Sequence, residues 1–517
     1  MKANIYRQFR SSLERDPEKI CLSFPEKEYS YQDVFEASSK LSNFLRDQES
    51  DYVGILAHRS LSAYIGVLAT LQAGKTYVPL NPKLPPAKIE QIISFTNMKS
   101  VISDFESLAI IPKLKIDKQL NLLSPEFELD TKIIDFKNTV VIDAFAIEKS
   151  IICYDIIDPS NDNVYLLFTT GSTGEPKAIE ISHQSLFDYL NYVQGILDIK
   201  PTDKCSQIFD LSFDASVHDL FLTWMNGATL CIPEREIFNP IKFVKKNNIS
   251  VWFSVPSVGY HLLKSNLLES NIFPSIRISQ FAGEQLIADF ARQWENAAPN
   301  SRIENIYGQT EGTVGISIYT WKKGQINRTT NGNVSIGKIF TTQKYLLVDD
   351  NDHVLSKNST GELLISGSQV ITRYSFSGNK YDDKFVKISE DDLSIYYRTG
   401  DIVHEDADGY LYFAQRSDFE FKINGYRVDE EEVNNAIRKI TQANKIVSMP
   451  YNDADGRQVG IASFIESREL FEASKIIAEC KKSLPHYMVP SKILIIDEMP
   501  LNANGKVNRA SLRDLLI

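Results

Sequence analysis

The sequence predicts an α/β protein with a large N-terminal domain, residues 1–417, followed by a small C-terminal α+β domain, residues 418–517. Three observations carry that prediction. A chain of 517 residues exceeds what one hydrophobic core organises, and its hydrophobic content of 43% can fill more than one. Short apolar runs alternate with helical patterns over residues 51–120, as in a largely parallel sheet with crossover helices. Near residue 418 the pattern changes to a hairpin followed by capped helices, a compact unit of about 100 residues.

In the first domain, residues 52–57 read as a strand and 60–71 as a helix, with Ala73-Gly74 as its stop. Residues 164–168 suit a buried strand. Residues 251–255 and 303–307 repeat the pattern more weakly, and 178–181 read as another strand. Val217, Leu220, Phe221, Trp224 and Met225 fall at helical spacing, and Gly227 ends that helix. Asp214 stands at its start, where on local grounds it is an N-cap. In the second domain, residues 419–423 read as a strand and Asn424-Gly425 as a tight turn. Asp429 caps a helix that opens with Glu430, Glu431 and Glu432 and closes with Arg438 and Lys439, charges that suit the helix dipole at both ends. Asp455-Gly456 signals a hairpin, 470–482 a helix and 492–496 a strand.

The net charge is −11 with no basic tract, which argues against nucleic acid as a partner. An anionic substrate would need local donors or a metal ion. Five scattered cysteines show no metal spacing and point to a reduced, cytoplasmic compartment. No signal peptide and no membrane span are expected.

Thr169-Thr170-Gly171-Ser172-Thr173-Gly174-Glu175-Pro176-Lys177 follows an apolar strand and offers backbone donors, hydroxyls and an ammonium to an anion. It is not a Walker loop, and alone it reads as an ordinary turn. Other motifs follow in order. They are Asn305-Ile306-Tyr307-Gly308-Gln309-Thr310-Glu311, Tyr397-Arg398-Thr399-Gly400-Asp401, Arg416-Ser417-Asp418 with Gly425-Tyr426-Arg427, and Asn504-Gly505-Lys506. This ordered set, spanning nearly the whole chain, resembles the adenylate-forming superfamily of acyl-CoA synthetases, luciferases and nonribosomal peptide adenylation domains.

The resemblance implies attack by a substrate carboxylate on the α-phosphorus of ATP, with pyrophosphate as leaving group and Mg2+ as helper. It implies that Lys506 bridges carboxylate and α-phosphate, although alone it reads as a solvated turn lysine. Glu311 would bind the metal, a hard donor for a hard cation. The phosphate loop (Thr169, Thr170, Gly171, Ser172, Thr173, Gly174, Lys177), together with Gly283, Glu284, Asn305, Tyr307, Gly308, Thr310, Asp401 and Arg416, would hold ATP. Tyr307 would stack on adenine, or is a core tyrosine. Asp401 would accept from the ribose hydroxyls. Asp418 would be the hinge of a mobile small domain whose rotation withdraws Lys506 and admits a thiol.

Phe213-Asp214-Ala215-Ser216 resembles the segment of amino-acid-binding members, in which the aspartate pairs with the α-ammonium. Residues 251–257, 281–284 and 418–427 resemble stand-alone D-alanine–carrier protein ligases, yet Ala282 stands where those usually have cysteine. By position, Phe213, Asp214, Ala215, His218, Ser254, Gln280, Ala282, Ile306, Val314 and Gly315 would bind the amino acid. His218, Ser254 and Gln280 suggest a polar or small side chain, or are core residues that stand behind the pocket lining. Thr170, Ala178, Gln309 and Gln415 depart from the usual serine, glycine, proline and glycine. The expected function is transfer of the activated amino acid to a phosphopantetheinylated carrier protein in trans, since no carrier module is appended. A coenzyme A ligase and a catalytically silent paralogue are the alternatives.

Overall fold

The computed structural model describes residues 3–128, 138–159, 161–169, 177–234, 240–376, 382–389, 391–418, 420–452, 458–467, 469, 471–501 and 507–516. They fall into two compact units: Met1–Pro82 with Glu90–Phe168 and Ala178–Gln415, and Lys83–Ile89 with Thr169–Lys177 and Arg416–Ile517. Two short segments from far upstream thus belong to the second unit, a division that the change of pattern near residue 418 does not reveal.

The first unit is built on two large sheets and a five-stranded antiparallel one. In the seven-stranded sheet, Tyr52–Leu56 lies parallel between Thr76–Pro79 and Ser100–Ser103. The Leu61–Gln72 helix that follows Tyr52–Leu56 is buried along nearly its whole surface, as expected where a helix is hydrophobic all round. Asn163–Thr169 continues the sheet from Thr76–Pro79.

The nine-stranded sheet positions the site. Its centre runs parallel in the order Ile20–Ser23, Thr229–Cys231, Lys204–Ser206, Val251–Ser254, Ile278–Ala282 and Arg302–Tyr307. The antiparallel strands Glu28–Ser30 and Ser317–Trp321 flank it. Val251–Ser254 is buried at all four positions, the continuous apolar pattern of a strand covered on both faces. Its core centres on Trp252, Phe281, Phe290 and Trp294. The weakly signalled runs at 251–255 and 303–307 are therefore central strands.

In the second unit, Glu420–Ile423 pairs with Tyr426–Asp429. Asn424 and Gly425 take φ of 49° and 80°, the two left-handed positions of a tight hairpin turn. Asp429 accepts from the backbone N–H groups of Glu431 (2.9 Å) and Glu432 (3.4 Å), capping the Glu430–Thr441 helix. Burial and the nearby Glu420 charge push its pKa up to about 6. Ile446–Asn452, Gln458–Glu466 and Lys492–Ile496 form a three-stranded sheet under the Ala473–Ser483 helix. The Asp455-Gly456 signal lies outside the described residues, between the first two of these strands, which pair antiparallel.

Candidate functional site

Three neighbouring parallel strands deliver predicted substrate-binding residues to their carboxyl ends. Ser254 ends the first, Ala282 ends the second with Gln280 at its middle, and Ile306 sits near the end of the third. The register places Phe253 beside Gln280 and Ala282 beside Ile306. The carboxyl edge of a parallel sheet is where open α/β folds bind ligands, because loops and helix starts gather there. The Asp214–Met225 helix begins on the same side of this unit. Its N-cap is Phe213, which makes no side-chain capping bond, and Asp214 is the first helical residue. The local N-cap reading of Asp214 is thereby corrected. Its charge is felt by the buried hydroxyls of Tyr165 and Tyr189, and burial raises the pKa of both.

Past the third strand, Tyr307 and Gln309 converge on Asp401, which lies in the Tyr396–Glu405 strand. The Tyr307 hydroxyl donates to Asp401 Oδ2 at 2.5 Å, and Gln309 Nε2 donates to the same oxygen at 2.6 Å. Gln309 Nε2 also reaches the Tyr307 hydroxyl at 3.1 Å. Gly308 between them is required sterically: a Cβ there would stand 2.5 Å from the Val314 carbonyl oxygen. Glu311 is fully buried in the 3-10 turn Thr310–Gly312, and the Tyr374 hydroxyl donates to its Oε1 at 2.7 Å. Asn305 is committed elsewhere, donating to the Ser335 carbonyl at 2.9 Å. Glu284 accepts from the Ser257 backbone N–H at 2.9 Å, next to Gly283 at φ 83°.

The turn after Glu311 is strained. Thr313 and Val314, both β-branched, adopt φ of 58° and 68°, a conformation costing about 1–3 kcal/mol per residue. Gln369 holds it in place. Its carbonyl accepts from the Thr313 hydroxyl at 2.5 Å, and its Nε2 donates to the Gly315 carbonyl at 3.0 Å. Val314 and Gly315 thus enter the site on a backbone fixed from a segment more than 50 residues away.

Among the side chains expected to face substrate, His218 is buried with Nδ1 2.7 Å from the Tyr189 hydroxyl, and burial lowers its pKa to about 4. Its ring lies 4.7 Å from that of Phe253, centroid to centroid. Ser254 accepts from Trp252 Nε1 at 2.9 Å. Gln280 is buried, and its side chain hydrogen-bonds to His218.

Within the second unit, Glu420 gathers three cations: Arg427 at 2.6 Å, Arg416 at 2.9 Å and the buried Lys177 at 3.3 Å. Burial opposes ionisation of Glu420, but Arg427, Lys177 and Arg416 outweigh it and hold the carboxyl well below its usual range. Arg416 also grips Asp418 with two nitrogens, at 2.8 and 2.6 Å. Thr169 Oγ1 is buried with no hydrogen-bond partner among the described residues. Thr170, Gly171, Ser172, Thr173, Gly174 and Lys506 lie outside the described residues.

A profile of AMP-binding enzymes matches residues 9–375. The chain belongs to the AMP-binding enzyme family. Relatives and solved structures agree. A D-alanine–D-alanyl carrier protein ligase of Lacticaseibacillus rhamnosus is 26% identical over 96% of this chain and 96% of its own. Bacitracin synthase 1 of Bacillus licheniformis is 26% identical over 99% of this chain, which spans only 9% of that synthase. The Vibrio cholerae adenylation domain AlmE, solved with glycyl-adenosine-5′-phosphate, superposes with a TM-score of 0.89 at 25% identity, covering 100% of this chain and 98% of AlmE.

AMP-binding enzymes use ATP, and the residues of the first unit fit a polar nucleotide: Gln309 Oε1 is buried without a protein partner. No helix among the described residues is long and apolar enough to cross a membrane. Gln309, Tyr374, Tyr189 and Gln369 are the site-building residues that sequence reasoning missed. Only Gln309 carried a signal, as a departure from the family's proline.

Proposed function

We propose that this AMP-binding enzyme adenylates an amino acid with ATP, releases pyrophosphate and passes the aminoacyl group to the phosphopantetheine thiol of a separate carrier protein. The observation that carries this reading is Asp214 in the first turn of the helix that follows the parallel strand Lys204–Ser206. A carboxylate there pairs with a substrate α-ammonium, a charge-assisted bond contributing about 1.5–3 kcal/mol. A fatty acid would leave the same carboxylate without its partner, which is how the residue would reject acyl substrates. The glycyl adenylate bound by AlmE and the carrier-protein ligases among the relatives support the same assignment.

In this reading Asp401 faces the ribose, Tyr307 the adenine, and Arg416, Thr310 and the phosphate loop the phosphates. Lys506 offsets repulsion between the two anionic reactants. Asp418 serves as the hinge between the half-reactions, in a small domain of residues 418–517. Glu311, an oxygen donor held in orientation by Tyr374, would hold Mg2+, whose charge offsets that of the phosphates. The test is exchange of labelled pyrophosphate into ATP with each amino acid in both configurations. Exchange with at least one is expected. Silence with all of them favours a non-catalytic role.

A further inference from the structure

The strand Lys177–Ser182 lies at one edge of the seven-stranded sheet, beside Asn163–Thr169. An edge strand presents backbone groups that need partners. Residues 369–376 supply one: the Ser375 N–H donates to the Ala178 carbonyl at 2.9 Å, in an isolated antiparallel bridge. Glu180, two residues on and on the same face of the strand, adds a side-chain bond to the same segment. Its Oε2 accepts from the Ser375 hydroxyl, and its Oε1 accepts from the Tyr52 hydroxyl at 2.5 Å. A carboxylate only accepts, so both hydroxyls donate to it. Burial, and then the bond to Glu180, raises the pKa of Tyr52, so that hydroxyl keeps the proton it donates. The Tyr52 ring also packs against Phe376, 5.9 Å between centroids.

The same segment reaches Glu311. The Ile371 N–H donates to the Glu311 carbonyl at 2.9 Å, and the Tyr374 hydroxyl donates to Glu311 Oε1 at 2.7 Å. Tyr374 and Ser375 are consecutive, and bridged extended backbone sends neighbouring side chains to opposite sides. Turning Ser375 toward Glu180 therefore turns Tyr374 the other way, onto Glu311. Tyr374 is buried with its ring edge-on to Phe385, 5.3 Å between centroids. That contact holds the ring; the contacts at Ser375 hold the backbone that carries it. A tether that only closed the sheet edge would leave Glu311 indifferent to Glu180, and that difference can be measured.

Resting on the adenylation reading above and on its placement of Mg2+ at Glu311, we infer that Glu180 is a positioning residue for that metal. Through Ser375 it fixes residues 369–376, and so the Tyr374 hydroxyl on the Glu311 carboxylate. Tyr52 holds the Glu180 side chain in place for this.

Glu180→Ala in the full chain tests this with two readouts besides activity. Amide hydrogen exchange over residues 369–376, measured without nucleotide or metal, should quicken by about tenfold or more, Ile371 included. Binding of Mn2+ in the presence of α,β-methylene-ATP, read by the loss of the free-ion EPR signal, should weaken by about three- to tenfold, at or below the low end for partners that bond a metal ligand directly. The KM for amino acid in pyrophosphate exchange should move less than about twofold. In a Tyr374→Phe background, Glu180→Ala should change Mn2+ affinity less than about twofold, because the hydroxyl it positions is gone. Glu180→Gln, which can still bond both hydroxyls, should keep most of the affinity. Unchanged Mn2+ binding in Glu180→Ala overturns the inference, as does a loss that is just as large in the Tyr374→Phe background. If Glu180→Ala fails to fold, Ser375→Ala removes the other end of the bond, and the same two readouts decide. Mn2+ affinity unchanged in Glu311→Gln overturns the metal placement and this inference together. Affinity lost in Glu311→Gln but kept in Glu180→Ala overturns this inference alone.

Discussion

At Asp401 two donors converge on one carboxylate oxygen, and at Glu311 the Tyr374 hydroxyl performs the same service. At His218 and Gln280, in the same unit, the polar side chains turn to one another and to Tyr189 inside the core. One cluster holds two carboxylates in place; the other surrounds a histidine that burial keeps neutral. The first arrangement suits a component that never varies between relatives, such as a nucleotide. Preorganisation in this unit is thus concentrated on the carboxylates of Asp401 and Glu311.

The largest effect is expected from breaking the fixed cluster. Glu311→Gln should lower the exchange rate by about 10²–10³-fold, in line with removal of one preorganised electrostatic group, and should raise the Mg2+ requirement. An unchanged Mg2+ titration would deny Glu311 its proposed role. Asp214→Ala should raise the KM for amino acid roughly 10- to 150-fold, the equivalent of one charge-assisted bond, with little change in the KM for ATP. Equal changes in both would return Asp214 to a purely helical role. Tyr374→Phe removes an orienting bond and keeps the ring, so about a tenfold loss is expected, again read in the Mg2+ titration.

The smallest effect is on pH dependence. His218 titrates at about 4 in the fold, against about 6.5 when unfolded, so the unfolded chain binds more protons between those values. The contribution of His218 is complete above pH 6.5 and is lost as pH falls toward 4. Burial raises the carboxyls of Asp219 and Glu304, which act in the opposite sense and mask part of the slope. The comparison is therefore between variants: the urea midpoint of His218→Gln should fall less than that of the unaltered chain between pH 6.5 and 4. Parallel curves would mean that His218 is charged or exposed in the fold.

Much of this architecture was legible in the amino-acid order because local signals agreed with one another. Asp429 carries a cap, an acidic first turn and a basic last turn, and the helix starts where those signs place it. Asn424-Gly425 announces its turn because both positions need positive φ. What stayed hidden depends on partners remote in sequence. Tyr374 serves Glu311 across 63 residues, and Gln309 serves Asp401 across 92. Asp214 sits one position inside its helix, a difference set by the backbone of Phe213 and invisible to spacing. The assignment of Thr169–Lys177 to the second unit is likewise tertiary.

The pair Thr313–Val314 carries a lesson for anyone reshaping this site. Substitutions in a close-packed interior usually weaken a protein, yet here the resident side chains oppose their own backbone. Asparagine or glycine at position 314 would relieve that opposition while giving up the apolar burial that Val314 contributes. The two effects are of similar size, about 1–3 kcal/mol each, so a change at this one position weighs backbone strain directly against side-chain burial.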